Sequence, residues 1–138
     1  MVKIITLLII AWAISNNLYS QSRKKVVNLG IKSVTVVRED YVDSNGKETL
    51  RSTTIFDKNG NTIEEKDYDK AGKLQGRITY EFNQDNDKIK ETHFLPNNKV
   101  EESFTYKYEN GLIVERSKFD GKNNLISKRK YVYEFVDE

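Results

Sequence analysis

The stretch FTYKYENGLIV, residues 104–114, decides the fold. Phe104, Tyr106 and Tyr108 alternate with Thr105 and Lys107, so an extended chain would turn its rings to one side and its polar groups to the other. Glu109-Asn110-Gly111 then interrupts the pattern. Asn-Gly accepts the positive φ angles that tight hairpin turns demand, and strand formers resume at Leu112-Ile113-Val114. Strand, tight turn and returning strand make a hairpin.

The same unit recurs along the chain. Phe56, Phe82, Tyr108 and Tyr133 stand 26, 26 and 25 residues apart. FDKNGNTI (residues 56–63) aligns with FNQDNDKI (82–89) and, one residue shorter, with YENGLIV (108–114). Tyr68, Phe94 and Phe119 form a second column, Leu74, Val100 and Leu125 a third, and Tyr80, Tyr106 and Tyr131 a fourth. A degraded first unit matches Gly46-Lys47 to Gly72-Lys73 and Arg51 to Arg77. Self-similarity at a fixed period is the mark of a repeat architecture.

Each unit carries two turn signals, built on Asn59, Gly60 and Gly72 in one repeat and on Asn110 and Gly111 in another, with Asn45 and Gly46 ahead of them all. Between them lie segments rich in Thr, Tyr, Phe, Val and Ile, residues that favour strands. The expected strands are 32–42, 47–56, 61–68, 73–82, 88–95, 99–108, 112–119 and 124–135. Short turns between neighbours give an all-β antiparallel meander of about eight strands, built from two-strand repeats as an open twisted sheet. The alternative is a closed up-and-down barrel, in which 32–42 would pair with 124–135. Ile78, Tyr80 and Phe82 share one parity, as do Phe104, Tyr106 and Tyr108, and Tyr131, Tyr133 and Phe135. In the intervening strands, Ile63–Tyr68 and Ile89–Phe94, the apolar residues fall on opposite faces unless a bulge resets the register. No sustained helical periodicity appears after the first twenty residues.

Those twenty, MVKIITLLIIAWAISNNLYS, hold one cation and an apolar run from Ile4 to Ile14 broken only by Thr6. The run is too short to span a bilayer, which takes about 20 residues. It has the form of a secretory signal peptide cut after Ser20. The expected organisation is therefore 1–20 signal peptide, 21–31 lead-in and 32–138 β-repeat domain. The full chain has 138 residues, a net charge of +2, one His, one Pro and no Cys. The missing Cys rules out disulfides, a thiol nucleophile and a zinc ribbon. Removing Lys3 with the leader leaves 22 cations against 21 anions, a balance that gives no reason to expect nucleic acid as a partner.

The chemical candidates are few. His93 is the sole imidazole and is expected on a solvated strand face, without a second ligand for a metal. Glu64-Glu65 and Glu101-Glu102 would point to opposite faces, so neither pair can act on one bond; surface solubility is their expected role. Asp57, Asn59 and Asn61 suit a turn, because the Gly60 spacing does not fit a calcium loop. Lys128-Arg129-Lys130 is expected to protect a sheet edge. The aromatic columns, Tyr80, Phe82, Tyr106, Tyr108, Tyr131 and Tyr133, are either core or a binding surface. A single-layer sheet has nothing to cover such a face, so curling, dimerising or partner binding must do so.

The segments IFDKNGN (55–61), YDKAG (68–72) and YKYENG (106–111) resemble the Y-x-Y-D-x-x-G core of RHS/YD-repeat proteins over residues 40–135. The chain is also similar to short exported repeat proteins of Bacteroidota, including MORN-like proteins labelled YwqK-type antitoxins, although the Trp and second Gly of that label are missing. The resemblance implies a β-repeat scaffold and brings no catalytic residue. The expected function is an exported, non-enzymatic β-repeat binding module without cofactor or metal. Its partner would be a protein, a glycan or a second copy, with no membrane association after signal cleavage and a periplasmic or extracellular location. The alternatives are a barrel carrier of an apolar ligand and an antitoxin- or immunity-like protein.

Overall fold

The computed structural model describes residues 18–41 and 46–136. Most of the expected leader, and Asn45, lie outside the described residues. One helix, α1 (Leu18–Leu29), precedes eight strands: β1 (Ser33–Asp40), β2 (Lys47–Phe56), β3 (Thr62–Tyr68), β4 (Leu74–Phe82), β5 (Lys88–Phe94), β6 (Val100–Glu109), β7 (Leu112–Asp120) and β8 (Leu125–Lys130). They form a single sheet in sequence order, every pair antiparallel. The meander is open. Among the described residues β1 and β8 each pair on one side only and not with each other, which overturns the closed barrel and, with it, a lumen for an apolar ligand.

Most hairpins close by one recipe. Gly60 N donates to Asp57 O at 3.1 Å and Asp57 N to Asn61 O at 2.9 Å, while Asp57 Oδ1 accepts from the backbone of Asn59 and Asn61. Asp69, Asn83 and Asp120 repeat this arrangement at their own turns. The fourth turn residue always has positive φ: Gly60 at 75°, Gly72 at 77°, Asn86 at 64°, Asn98 at 62° and Asn123 at 65°. Asn stands in for Gly because its short side chain tolerates the left-handed region best among L-residues. The β6–β7 turn is the tight version, with Asn110 at 51° and Gly111 at 77°.

A bulge follows each turn. The register slips between Ile55/Phe56, Asp67/Tyr68, Glu81/Phe82, His93/Phe94, Lys107/Tyr108 and Lys118/Phe119, and also in β1 at Val36/Val37. The extra residues include Ile63, Ile89 and Val114 in one repeat column and Gln75, Glu101 and Ile126 in the other. This resolves the wrong-parity spacing of Ile63–Tyr68 and Ile89–Phe94, since one unpaired residue returns the strand to phase.

Two features depart from the sequence expectation. Residues 18–29 are helical although they show little apolar periodicity. Their helix is stopped by Gly30 (φ 63°), with Gly30 N bonded to Val27 O at 3.1 Å and Ile31 N to Val26 O at 3.0 Å, the paired bonds of a Schellman cap. Val26 is its one buried anchor among residues 23–29. α1 rests on the β2–β3 turn: a Cβ on Gly60 would stand 2.7 Å from Arg23 O and 2.9 Å from Val27 Cγ2. The second departure is at the far edge, where strand pairing ends at Lys130 instead of 135. β7 begins at Leu112, so a chain running past Tyr131 soon leaves its neighbour behind. Tyr131 N still reaches Val114 O at 3.0 Å, but Phe135 is 79% exposed.

Among the described residues no second layer packs on the sheet. Among the described hydrophobic residues, only Val26 and Phe104 are buried, alongside the polar Asn61, Thr92, Ser103 and Ser117. No described helix is long and apolar enough to cross a membrane.

Candidate interaction face

Residues directly opposite each other in an antiparallel pair project to the same face. Following the pairs across the sheet sorts the side chains into two surfaces. One carries Glu65 against Ile78, Ile78 against His93, Tyr80 against Glu91, Glu91 against Phe104, Phe104 against Lys118, Tyr106 against Arg116, and Arg116 against Arg129. Phe82 and Tyr108 continue the parity of Tyr80 and Tyr106. The rings of β4 and β6 therefore share this face, as their alternation implies, but β5 between them and β7 beyond bring charge instead of further rings. Tyr131 and Tyr133 lie past the end of β8; Tyr133 folds back to donate to Ile113 O at 2.7 Å. Among the expected turn residues, Gly46 also has positive φ, at 76°.

Glu91 organises the centre. Its Oε2 lies 2.5 Å from Lys88 Nζ and accepts from Tyr106 OH at 3.2 Å, and its Oε1 lies 2.6 Å from His93 Nε2. Burial pushes the Glu91 carboxyl up, but the bonds from Lys88 and His93 and the Lys88 charge outweigh it, so its pKa is lowered. Burial likewise pulls the Lys88 ammonium down, and the Glu91 contact outweighs that, leaving Lys88 raised. Lys88 Nζ also sits over two rings, 4.9 Å from the centre of Tyr106 and 5.3 Å from that of Tyr80. Tyr80 OH donates to Glu65 Oε2 at 2.6 Å, and Tyr108 OH to Lys88 O at 2.9 Å.

Phe104 is the buried pivot of the face. His93 meets it edge-on at 5.6 Å, Arg116 stacks 4.1 Å from its centre, and Lys118 approaches at 5.6 Å. Glu102 joins Lys118 at 2.6 Å and stands 3.7 Å from His93 Nδ1. A shallow recess beside Phe104 is lined by Arg116, Lys118, Ser127 and Arg129.

The structure corrects the expected solvated settings of His93, Glu64, Glu65 and Glu102, whereas Glu101 is exposed as expected. His93 is half-buried among Glu91, Glu102 and Phe104. Glu64, on the opposite face, is clamped by Arg77 and Lys66, each at 2.6 Å, while Arg77 stacks 4.7 Å over Phe94. Glu64 and Glu65 do point to opposite faces, and Glu101 is a bulged residue. Lys88, Glu91, Arg116 and Lys118 escaped sequence reasoning. The signal that could have found them is the repeat column itself: Glu65, Glu91 and Arg116 are equivalent positions, as are Asp67, His93 and Lys118.

No protein-family model matches the chain, and no curated protein matches it, so the likeness to RHS/YD repeats rests on its motifs. Among solved structures, the chain is similar to a DUF3836 family protein from Parabacteroides distasonis, at 16% identity over 72% of this chain and 88% of that one, with a TM-score of 0.33. A likeness this shallow carries no argument about function.

Proposed function

We propose that this protein is an exported, non-enzymatic binding module whose working surface is the ring-and-charge face of β4–β8. One observation carries the reading: Tyr80, Phe82, Tyr106 and Tyr108 stand on a face that no second layer covers among the described residues. An uncovered face whose tyrosine rings are held by hydrogen bonds and by the Lys88 cation–π contacts suits recognition, because the side chains are ordered before a partner arrives. The groups that could do chemistry are engaged with one another. Glu91 is held by Lys88 and His93, and Glu65 by Tyr80. Export is inferred from the Met1–Ser20 leader, and descent from a YD-type repeat from the recurring turns.

The test is capture by the purified protein of envelope proteins and of soluble polysaccharides, repeated with Tyr80→Ser and Tyr106→Ser. The reading expects a saturable partner whose affinity falls at least tenfold in either variant, with an unchanged far-UV circular dichroism spectrum. Binding indifferent to both substitutions overturns it.

A further inference from the structure

The charges on this face are sorted. Its β3 corner holds Glu65 and Asp67, and its β7–β8 corner holds Arg116, Lys118 and Arg129. Between them, on β5, the equivalents Glu91 and His93 are mixed. Three successive repeats thus read acid, mixed and base in the same two columns. The basic corner carries an unresolved electrostatic demand: Arg116 and Arg129 are directly opposite across β7 and β8, a juxtaposition of like charges that destabilises a sheet. Among the described residues no carboxylate pairs with either guanidinium. Arg116 is instead stacked on Phe104, which fixes its planar fork at the edge of the recess.

We infer that the occupant of this face is a second copy of the same chain, docked so that Glu65 and Asp67 of each protomer meet Arg116 and Arg129 of the other. This deepens the binding-face reading and rests on it. The two corners are complementary in charge. A two-fold axis lying in the plane of the face and passing over β5 exchanges the acidic and basic corners, so both ion-pair sets form at once, as an isologous interface requires. Each forked guanidinium can donate two parallel hydrogen bonds to one carboxylate, and the two nearby carboxylates of β3 match them in number. The rings of β4 and β6 are brought together in the middle, away from water. The area is sufficient: the seven strands that such an axis superposes, β2–β8, about 4.8 Å apart and about 24 Å long, present roughly 800 Å², matching the about 800 Å² per partner of a standard interface.

Sedimentation of the purified protein tests this, with paired charge reversals Glu65→Arg/Asp67→Arg and Arg116→Glu/Arg129→Glu. The expected results are a dimer for the natural chain, a monomer for each reversed variant and a restored dimer when the two variants are mixed. Raising salt to 1 M should weaken the natural dimer at least tenfold, because the rim pairs are screened. Should a reversal prevent folding, the milder Arg129→Ser on exposed β8 still has to weaken the dimer. A dimer that survives both reversals overturns the inference. So does a monomeric natural chain. If that monomer binds a glycan or another protein in a Tyr106-dependent way, only self-pairing fails; if it binds nothing there, the binding-face reading fails too.

Discussion

Asn61 Nδ2 donates to Asn86 Oδ1 at 2.9 Å, joining two turns that lie 25 residues apart, about one repeat. Asn61 is 2% exposed and also donates to Asp57 Oδ2 at 2.9 Å, while its own Oδ1 has no hydrogen-bond partner among the described residues. In a meander whose strands touch mainly their sequence neighbours, this bond is a rare tie between hairpins. Asn61→Ala removes two buried bonds and should cost about 1–3 kcal/mol in urea unfolding. Asn61→Asp should cost more, because it buries a second carboxylate against Asp57. An Asn61→Ala variant that unfolds at the same urea concentration as the natural chain would show that the tie does not bear on stability.

Gly60 and Gly72 occupy equivalent turn positions with φ of 75° and 77°, yet their surroundings differ. A Cβ on Gly72 meets nothing within 4 Å, whereas one on Gly60 runs into Arg23 O. Gly72→Ala should therefore cost only the left-handed strain, about 1–2 kcal/mol. Gly60→Ala should cost clearly more and should raise hydrogen exchange in α1. If the two variants unfold at the same denaturant concentration, α1 is not docked on that turn.

The repeat period and turn chemistry were enough to read strand order, antiparallel pairing and most boundaries, since Asn, Gly and Asp signal turns locally. Less local features escaped. The bulges after the turns could be required, from Ile89 and Phe94 falling on the wrong parity, but not placed. α1 depends on a C-cap at Gly30 and on the anchor Val26, which leave almost no periodic trace. The Glu91 network escaped for another reason: a charged residue on a strand reads as solvent-facing until its neighbours are known. Only the pairing of Tyr80 with Glu91, and of Glu91 with Phe104, places it between aromatic strands.

The Lys88–Glu91 pair makes stability depend on pH at both ends. Glu91 has a lowered pKa, so its contribution is fully present above the ordinary carboxylate range and is lost as pH falls through the lower folded value. Lys88 has a raised pKa, so its contribution holds below the ordinary lysine value and is lost as pH climbs through the higher folded one. Glu91→Gln should flatten both limbs of the profile of unfolding midpoint against pH. An unchanged acid limb would mean that other carboxylates, such as the Arg77-bound Glu64, dominate it.

Signal removal bears on α1, because the helix begins at Leu18 and the expected cut follows Ser20. The contacts that hold it lie downstream: Val26, the cap at Gly30, and the approach of Arg23 and Val27 to Gly60. The processed protein should thus keep Gln21–Leu29 docked, and Gly60 amide exchange should stay slow. Intact mass of the exported protein should begin at Gln21, and its emission should lack tryptophan, since Trp12 leaves with the leader. A secreted chain that retains Trp12 would overturn the cleavage reading while leaving the sheet untouched.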